Sequence, residues 1–307
     1  MIFRYFVPGF YLVAASLMLV SGADANNTLS AEQESWRTSV YEAWAEQDND
    51  FKTSPTSPLA GSSRFEISEE GAVYFSKEDN ELVWSSENGD QPEFSLVLVI
   101  GGWKWTDLSG KVTALREGEK ISSGSLLQAG DILQSGRFSI ELYPSENKVT
   151  VLVFDADSQA VKDFEKLDRF DANSSFAVTA KIEKFEVPEA IELVTGRQQF
   201  KQRFKYAKLQ FEIDGIEVEL TAYKYALEGE HSKMLFMPFT DKTTGKYSYG
   251  GGRYLMVDEP EEGNEVGIDF NLVTNPLCAY AAIYNCIVPT RENKLPIEIL
   301  AGEKKFH

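Results

Sequence analysis

Apolar positions recur at helical spacing behind Ser30, with Trp36, Val40, Ala43 and Trp44 on one stripe and Gln33 three residues after Ser30 in the capping-box arrangement. This pattern predicts one amphipathic helix over residues 31–47. Its polar face is not basic, so the stripe is expected to pack on the protein and not on a membrane surface. Residues 52–63 are rich in Ser, Thr and Pro, and Pro55 and Pro58 exclude a continuous helix or a central strand, which predicts a connecting loop. From Phe65 onward the texture changes to short runs of Val, Ile, Leu, Phe and Tyr between Gly, Asp, Asn and Ser turns. Strands are expected at residues 72–75, 94–100, 111–116, 138–143 and 149–154, with Glu146-Asn147 as a hairpin turn. A short helical piece at 159–167 precedes strands at 175–184, 209–213 and 218–225. The alternation of Leu209, Phe211 and Ile213 puts one face inward, and Asp214-Gly215 supplies the positive φ of a two-residue turn. The expected fold is mainly β, an antiparallel sandwich or barrel with one N-terminal amphipathic helix. Its expected segments are 26–64 (helix and linker), 65–154 (β-rich N-terminal half) and 155–307 (β-rich C-terminal half).

Residues 1–25 read differently. Arg4 precedes an apolar run from Tyr5 to Val20, and Ala23-Asp24-Ala25 has the small-x-small spacing that a signal peptidase requires. The run is interrupted by Pro8 and is shorter than the roughly 20 residues that span a bilayer core. A signal peptide is therefore expected, with an uncleaved anchor as the alternative. The mature chain is expected to be exported, periplasmic or extracellular, with no integral membrane segment left. In such a compartment Cys278 and Cys286, the only two cysteines among 307 residues, are expected to form a disulfide; two buried free thiols are the alternative.

Charge narrows the partners. The chain has 30 Lys and Arg against 48 Asp and Glu, a net charge of -18, which disfavours nucleic acid. A nucleophile elbow, a phosphate-binding glycine loop, a dinucleotide fingerprint, HExxH and CxxC are all missing. With only His231 and His307, any histidine-based chemistry rests on His231, which follows a turn and reads as an exposed polar residue. Five carboxylates from Asp258 to Glu265 read as a solvated loop, with a calcium site as the lesser alternative. No cofactor and no resident metal is called for, and nothing in the pattern sets an oligomeric state.

The stretch from Lys233 to Lys304 carries an ordered set of residues: Phe239, Asp241, Thr243 or Thr244, Gly245, Tyr249, Gly252 and Arg253, then Asp269-Phe270-Asn271, Asn275-Pro276, Cys278-Ala279-Tyr280, Cys286, Pro289, Asn293 and Ala301-Gly302-Glu303. In this order they resemble the domain-of-unknown-function 1684 family. Weaker matches are Phe51 with Ser57-Pro58-Leu59, and Phe154-Asp155 leading to Phe164. Ser248 and Val273-Thr274 depart from the family's pattern. The resemblance implies the fold more than the function, because the family brings no reaction with it.

Physically, Pro238 pushes the strand at 235–239 towards a sheet edge, and the chain is expected to return from Tyr247 to Tyr254 through three glycines. Those glycines let the backbone approach either a neighbouring strand or an anion, with Arg253 as a bidentate fork. Asp269 and Asn271, two apart on a strand, are expected to face Arg253 or a cation together. Asn293 and Glu303 are expected to return polar groups to the loop of Asn275, Cys278 and Tyr280. Candidate binding residues are thus Asp241, Thr244, Tyr249, Arg253, Asp269, Asn271, Asn275, Tyr280, Asn293 and Glu303. Three functions follow. The first is binding of a small polar or anionic ligand or an envelope component. The second is a hydrolase using Asp241 or Asp269 with Arg253, and the third a structural or protein-interaction role.

Overall fold

The computed structural model describes residues 30–68 and 71–306. The expected signal peptide, residues 1–25, lies outside them. The described chain divides into two compact units, one of residues 49–165 with Tyr280–Tyr284, the other of residues 30–48, 166–279 and 285–306.

Helix α1 (Ala31–Thr53) starts as its capping box predicts. The Gln33 N–H donates to Ser30 Oγ at 3.2 Å, and the Ser30 N–H donates to Gln33 Oε1 at 3.0 Å. It runs beyond residue 47, because nothing before Pro55 breaks it and the buried Phe51 continues its apolar stripe. Residues 49–53 of α1 belong to the first unit, where Phe51 meets Tyr280 edge-on at 4.8 Å and Phe164 at 5.8 Å.

The first unit is a sandwich. Its strands are β1 (Gly61–Ile67), β2 (Ala72–Glu78), β3 (Glu81–Ser85), β4 (Phe94–Val99), β5 (Gly102–Asp107), β6 (Thr113–Arg116), β7 (Glu119–Ile121), β8 (Asp131–Ser135), β9 (Phe138–Pro144) and β10 (Val149–Asp155), followed by the single-turn α2 (Gln159–Lys162). One sheet has the order β1-β10-β9-β8-β6-β7, the other β3-β2-β4-β5. Their inner faces share one core, with Val73, Phe75, Leu96 and Trp103 from the smaller sheet and Ile67, Leu133, Ile140 and Val151 from the larger. Phe75 and Phe94 are cross-strand partners whose rings stack at 4.5 Å. Each such buried side chain contributes about 1.5–3 kcal/mol relative to exposure. The β9–β10 turn closes at Glu146-Asn147 as expected, with the Ser145 N–H donating to the Lys148 carbonyl at 2.7 Å.

The second unit is a nearly closed antiparallel barrel of β11 (Ala177–Val194), β12 (Phe200–Ile213), β13 (Ile216–Lys224), β14 (Met234–Phe239), β15 (Arg253–Asp258) and β16 (Glu265–Asp269), in the order β15-β14-β13-β12-β11-β16. The β12–β13 hairpin turns at Asp214 (φ 51°) and Gly215 (φ 75°), and Leu209, Phe211 and Ile213 are buried while Gln210 and Glu212 are exposed. β11 and β12 are longer than their apolar patterns indicated. Pairing lapses between Lys184 and Glu189, which accommodates Pro188, and then resumes as far as Val194 opposite Phe200. After β16, the chain returns to the opposite edge of the sheet. There Tyr254 and Thr274 exchange backbone hydrogen bonds of 2.8 and 3.1 Å, joining the two ends of the strand order. After a 3-10 turn (Arg291–Asn293), Leu295, Ile297, Ile299 and Ala301 alternate into the core.

Among the described residues no helix is long and apolar enough to cross a membrane. The acidic stretch at 258–265 is solvated only in part. Glu259 is half-buried, bonded to Lys184 at 2.5 Å, to Tyr206 at 2.6 Å and to Lys224, and these donors hold its carboxyl below the usual value against the effect of burial.

Candidate functional site

Arg253 opens β15 and points into the core of the second unit at 1% exposure. Its terminal nitrogens donate to the carbonyls of Ala301 (2.5 Å), Ile299 (2.8 Å) and Glu303 (3.4 Å) and to Asp241 Oδ2 (3.4 Å). Burial works against its charge, opposed by Asp241 and Glu303. Asp241 is more tightly held by others. Its carboxylate accepts from Thr243 Oγ1 at 2.8 Å, Thr244 Oγ1 at 2.9 Å and the Ile299 N–H at 2.7 Å. Thr243 organises the turn, since its carbonyl accepts the N–H groups of Lys246, Tyr247 and Ser248. Residues 242–252 are therefore a turn and loop, and strand pairing resumes only at Arg253. The glycine run serves close backbone approach: Gly252 has φ 83°, and a Cβ there would lie 2.5 Å from the Phe239 carbonyl of the neighbouring strand.

Asp269 does not meet Arg253. It ends β16 and caps a 3-10 turn, accepting the Asn271 N–H at 2.8 Å and Asn271 Nδ2 at 2.7 Å, so the two are not same-face residues of one strand. Its second oxygen accepts the Trp36 indole N–H at 2.7 Å, and the Trp44 indole N–H donates to the Asn271 carbonyl at 2.9 Å. The apolar stripe of α1 thus carries two polar tips that lock the helix to the turn after β16. Burial raises the Asp269 pKa, outweighing the donors from Asn271 and Trp36.

Glu303 and Asn275 form a third group. Glu303 Oε2 accepts the Asn275 N–H at 2.7 Å, and Oε1 accepts Gln47 Nε2 at 2.7 Å. Arg169 joins through Gln47 Oε1 (2.7 Å) and a 2.8 Å ion pair with Asp48. Two further candidates, Tyr280 and Asn293, stand apart. Tyr280 belongs to the first unit. Asn293 repairs a ladder: continuing the register of Tyr223 and Phe236 would set Thr221 opposite Pro238, which has no N–H. There the Asn293 amide accepts the Thr221 N–H at 2.7 Å and donates to the carbonyls of Thr221 and Pro238 at 2.9 and 3.0 Å. β14 is consequently an interior strand, not an edge strand, despite Pro238.

Tyr249 and Cys278 remain partly accessible. Cys278 lies in a 3-10 turn (Leu277–Ala279) after the Asn275-Pro276 corner, and Cys286 is buried beside it. The cysteines are unbridged, contrary to the expected disulfide. The Cys278 N–H donates to Cys286 Sγ at 3.2 Å, and Tyr249 Oη donates to Cys278 Sγ at 4.0 Å. The neighbouring Cys286 thiol, more than Tyr249, lowers the Cys278 pKa to about 7, whereas the Cys286 thiol is pushed up by Cys278 and by burial. Burial and the neighbouring sulfur raise Tyr249 to about 12.

The ten candidates therefore do not form one site, and the bond from Arg253 to the Glu303 carbonyl links two of their groups. Asp241, Thr244 and Arg253 meet, as do Asp269 with Asn271 and Asn275 with Glu303. Trp36, Trp44, Gln47 and Arg169, which complete two of these groups, carried no signal beyond the helical stripe for the tryptophans. Among the described residues no group of three or more His, Cys, Asp or Glu is placed to hold a metal.

Residues 162–304 match the model of a family described as a protein of unknown function, DUF1684. A solution NMR structure of an uncharacterised protein from Haloarcula marismortui is 36% identical, over 47% of this chain and 78% of that one, with a TM-score of 0.40. No curated protein matches the chain.

Proposed function

The chain belongs to the DUF1684 family through residues 162–304, and from that premise we propose that it is an exported, non-catalytic β-protein that binds a small polar or anionic ligand or an envelope component. The observation that carries this reading over hydrolysis is the burial of every charged group a hydrolase here would use. Asp241, Arg253, Asp269 and Glu303 are 6%, 1%, 5% and 1% exposed, and each is hydrogen-bonded within the scaffold. A general base has to reach the proton it removes. What stays partly open in the same neighbourhood is Thr244 and Tyr249, neutral groups suited to hydrogen bonding a ligand. Export rests on the pattern of residues 1–25.

The test is a thermal-shift screen of the purified chain against anionic metabolites, neutral polar compounds and divalent metals, with Tyr249→Ala alongside. The expected result is a ligand whose stabilisation is lost in Tyr249→Ala. Hydrolysis of a generic ester or phosphate substrate, abolished by Asp241→Asn in a folded protein, would overturn it. A purely structural role for the same residues is favoured by the complete engagement of Asp241, and its signature is the absence of any shift. For export, the expected mature N-terminus is Asn26, read by sequencing the secreted protein.

A further inference from the structure

The pair at Cys278 and Cys286 differs from the buried charged groups around Arg253, Asp269 and Glu303, because one member is reachable and neither has an ion-pair partner within the scaffold. Cys278 is half-buried on its turn, and Cys286 is 9% exposed behind it. The Cys278 N–H donates to Cys286 Sγ at 3.2 Å, which sets the second thiol directly against the turn that carries the first. Tyr249 Oη lies 4.0 Å from Cys278 Sγ, and the Lys201 ammonium, anchored on the Asn285 carbonyl at 2.6 Å, adds positive potential to both sulfurs. An accessible thiol backed by a buried second thiol is the arrangement required for attack followed by resolution.

We propose that Cys278 and Cys286 form a thiol–disulfide exchange site for low-molecular-mass disulfides, with Cys278 as the attacking and Cys286 as the resolving cysteine. In the first step the Cys278 thiolate attacks one sulfur of the substrate disulfide, the substrate S–S bond breaks, and one thiolate leaves and takes up a proton. In the second, Cys286 Sγ attacks Cys278 Sγ of the mixed disulfide. The second substrate thiol leaves with the proton from Cys286, and the Cys278–Cys286 bond closes. The dithiol loses two electrons and the substrate disulfide gains them. Tyr249 is a positioning residue whose hydroxyl supports the Cys278 thiolate.

The test uses the full chain, reduced and freed of reductant, with the aromatic disulfide dithiobis(nitrobenzoate) as probe, read by released thiol and by mass. The wild type is expected to release two thiols per chain and keep no adduct. Cys286→Ser is expected to release one and keep one adduct. Cys278→Ser is expected to react at least tenfold more slowly, because Cys286 is buried. The rate of the wild type should rise with pH to a plateau with a midpoint about 7, and Tyr249→Phe should move that midpoint upward without changing the melting temperature. Two retained adducts on the wild type would overturn the proposal, since they mean independent thiols. So would a Cys278→Ser protein that reacts as fast as the wild type, or no reaction before unfolding. Should Cys286→Ser fail to fold, the mass of the wild-type product alone decides between a closed pair and two adducts.

Discussion

Two regions of the second unit are built from the same run of motif residues and behave in opposite ways. Around Arg253, a guanidinium at 1% exposure is held by Asp241 and by carbonyls of the C-terminal segment, so its charge is used to tie residues 299–303 to β15. Around Cys278, a thiol is supported by another thiol, by a tyrosine 4.0 Å away and by the charge of Lys201. The first region is densely hydrogen-bonded, with only the Arg253 Nε among its guanidinium nitrogens left without a partner, and the second is sparsely so. Charged, conspicuous residues can mark where a backbone is hardest to satisfy, and the reactive group is then the modest one beside them.

The sharpest way to break that contrast is Arg253→Met. It leaves Asp241 as a buried charge without its cationic partner and three carbonyls without their donor, and breaking a buried pair in this way costs about 3–5 kcal/mol. Urea unfolding should show the midpoint falling with little change in slope. Adding Asp241→Thr should recover part of the loss, because the stranded charge is then gone. A mild Arg253→Met would mean that the guanidinium is not the tie described here.

Asn293→Ala is the next largest. It orphans the Thr221 N–H and the Thr221 and Pro238 carbonyls where the ladder cannot form, and an unsatisfied buried polar group costs about 1–3 kcal/mol. Asn293→Asp sharpens the assignment: it can still accept from Thr221 but cannot donate, so a loss close to that of Ala would place the weight on the two carbonyls. Both are read by thermal melts of folded protein.

These two residues also show what could be read in advance. The hairpin at Asp214-Gly215, the alternation before it and the Ser30–Gln33 cap are local, each decided by residues within a few positions, and they were legible. The partner of Arg253 was not. Asp241 and Asp269 are equally good carboxylates in sequence, and the choice between them depends on how β16 runs into the turn at Phe270–Leu272 and returns to pair at Thr274. The same holds for Pro238, which reads as an edge residue until Asn293, 55 positions later, fills the place of its missing donor. Long-range polar pairing leaves no periodic trace, whereas apolar burial does. The tryptophans of α1 fall between: their stripe was visible, their indole N–H partners were not.

Trp36→Phe removes one donor from the Asp269 carboxylate while keeping the apolar packing, and a hydrogen bond to a charged group is worth about 1.5–3 kcal/mol. Its size should depend on pH. Burial raises the folded pKa of Asp269 above 3.8, so the folded state holds that proton more tightly than the unfolded chain. The carboxyl's stabilising contribution is then complete in acid below the unfolded value and is lost as pH rises through the raised folded value. The wild type should therefore gain on Asp269→Asn as pH is lowered towards 3.8, measured as the difference between paired urea midpoints. A difference that grows in the opposite direction would mean that the donors from Asn271 and Trp36 outweigh burial.

The smallest expected effect on stability carries the other half of the comparison. Cys278→Ser changes one partly exposed atom that no ion pair or saturated network depends on, so unfolding should move by less than about 0.5 kcal/mol. The same substitution should nearly abolish reaction with a disulfide probe at neutral pH, because the remaining thiol at Cys286 is buried and its pKa is raised. Large loss of stability without loss of thiol chemistry in Asn293→Ala, set against loss of thiol chemistry without loss of stability in Cys278→Ser, would separate scaffold from site within one barrel. If Cys278→Ser instead unfolds the barrel, the thiol pair is part of the scaffold too, and the contrast with Arg253 disappears.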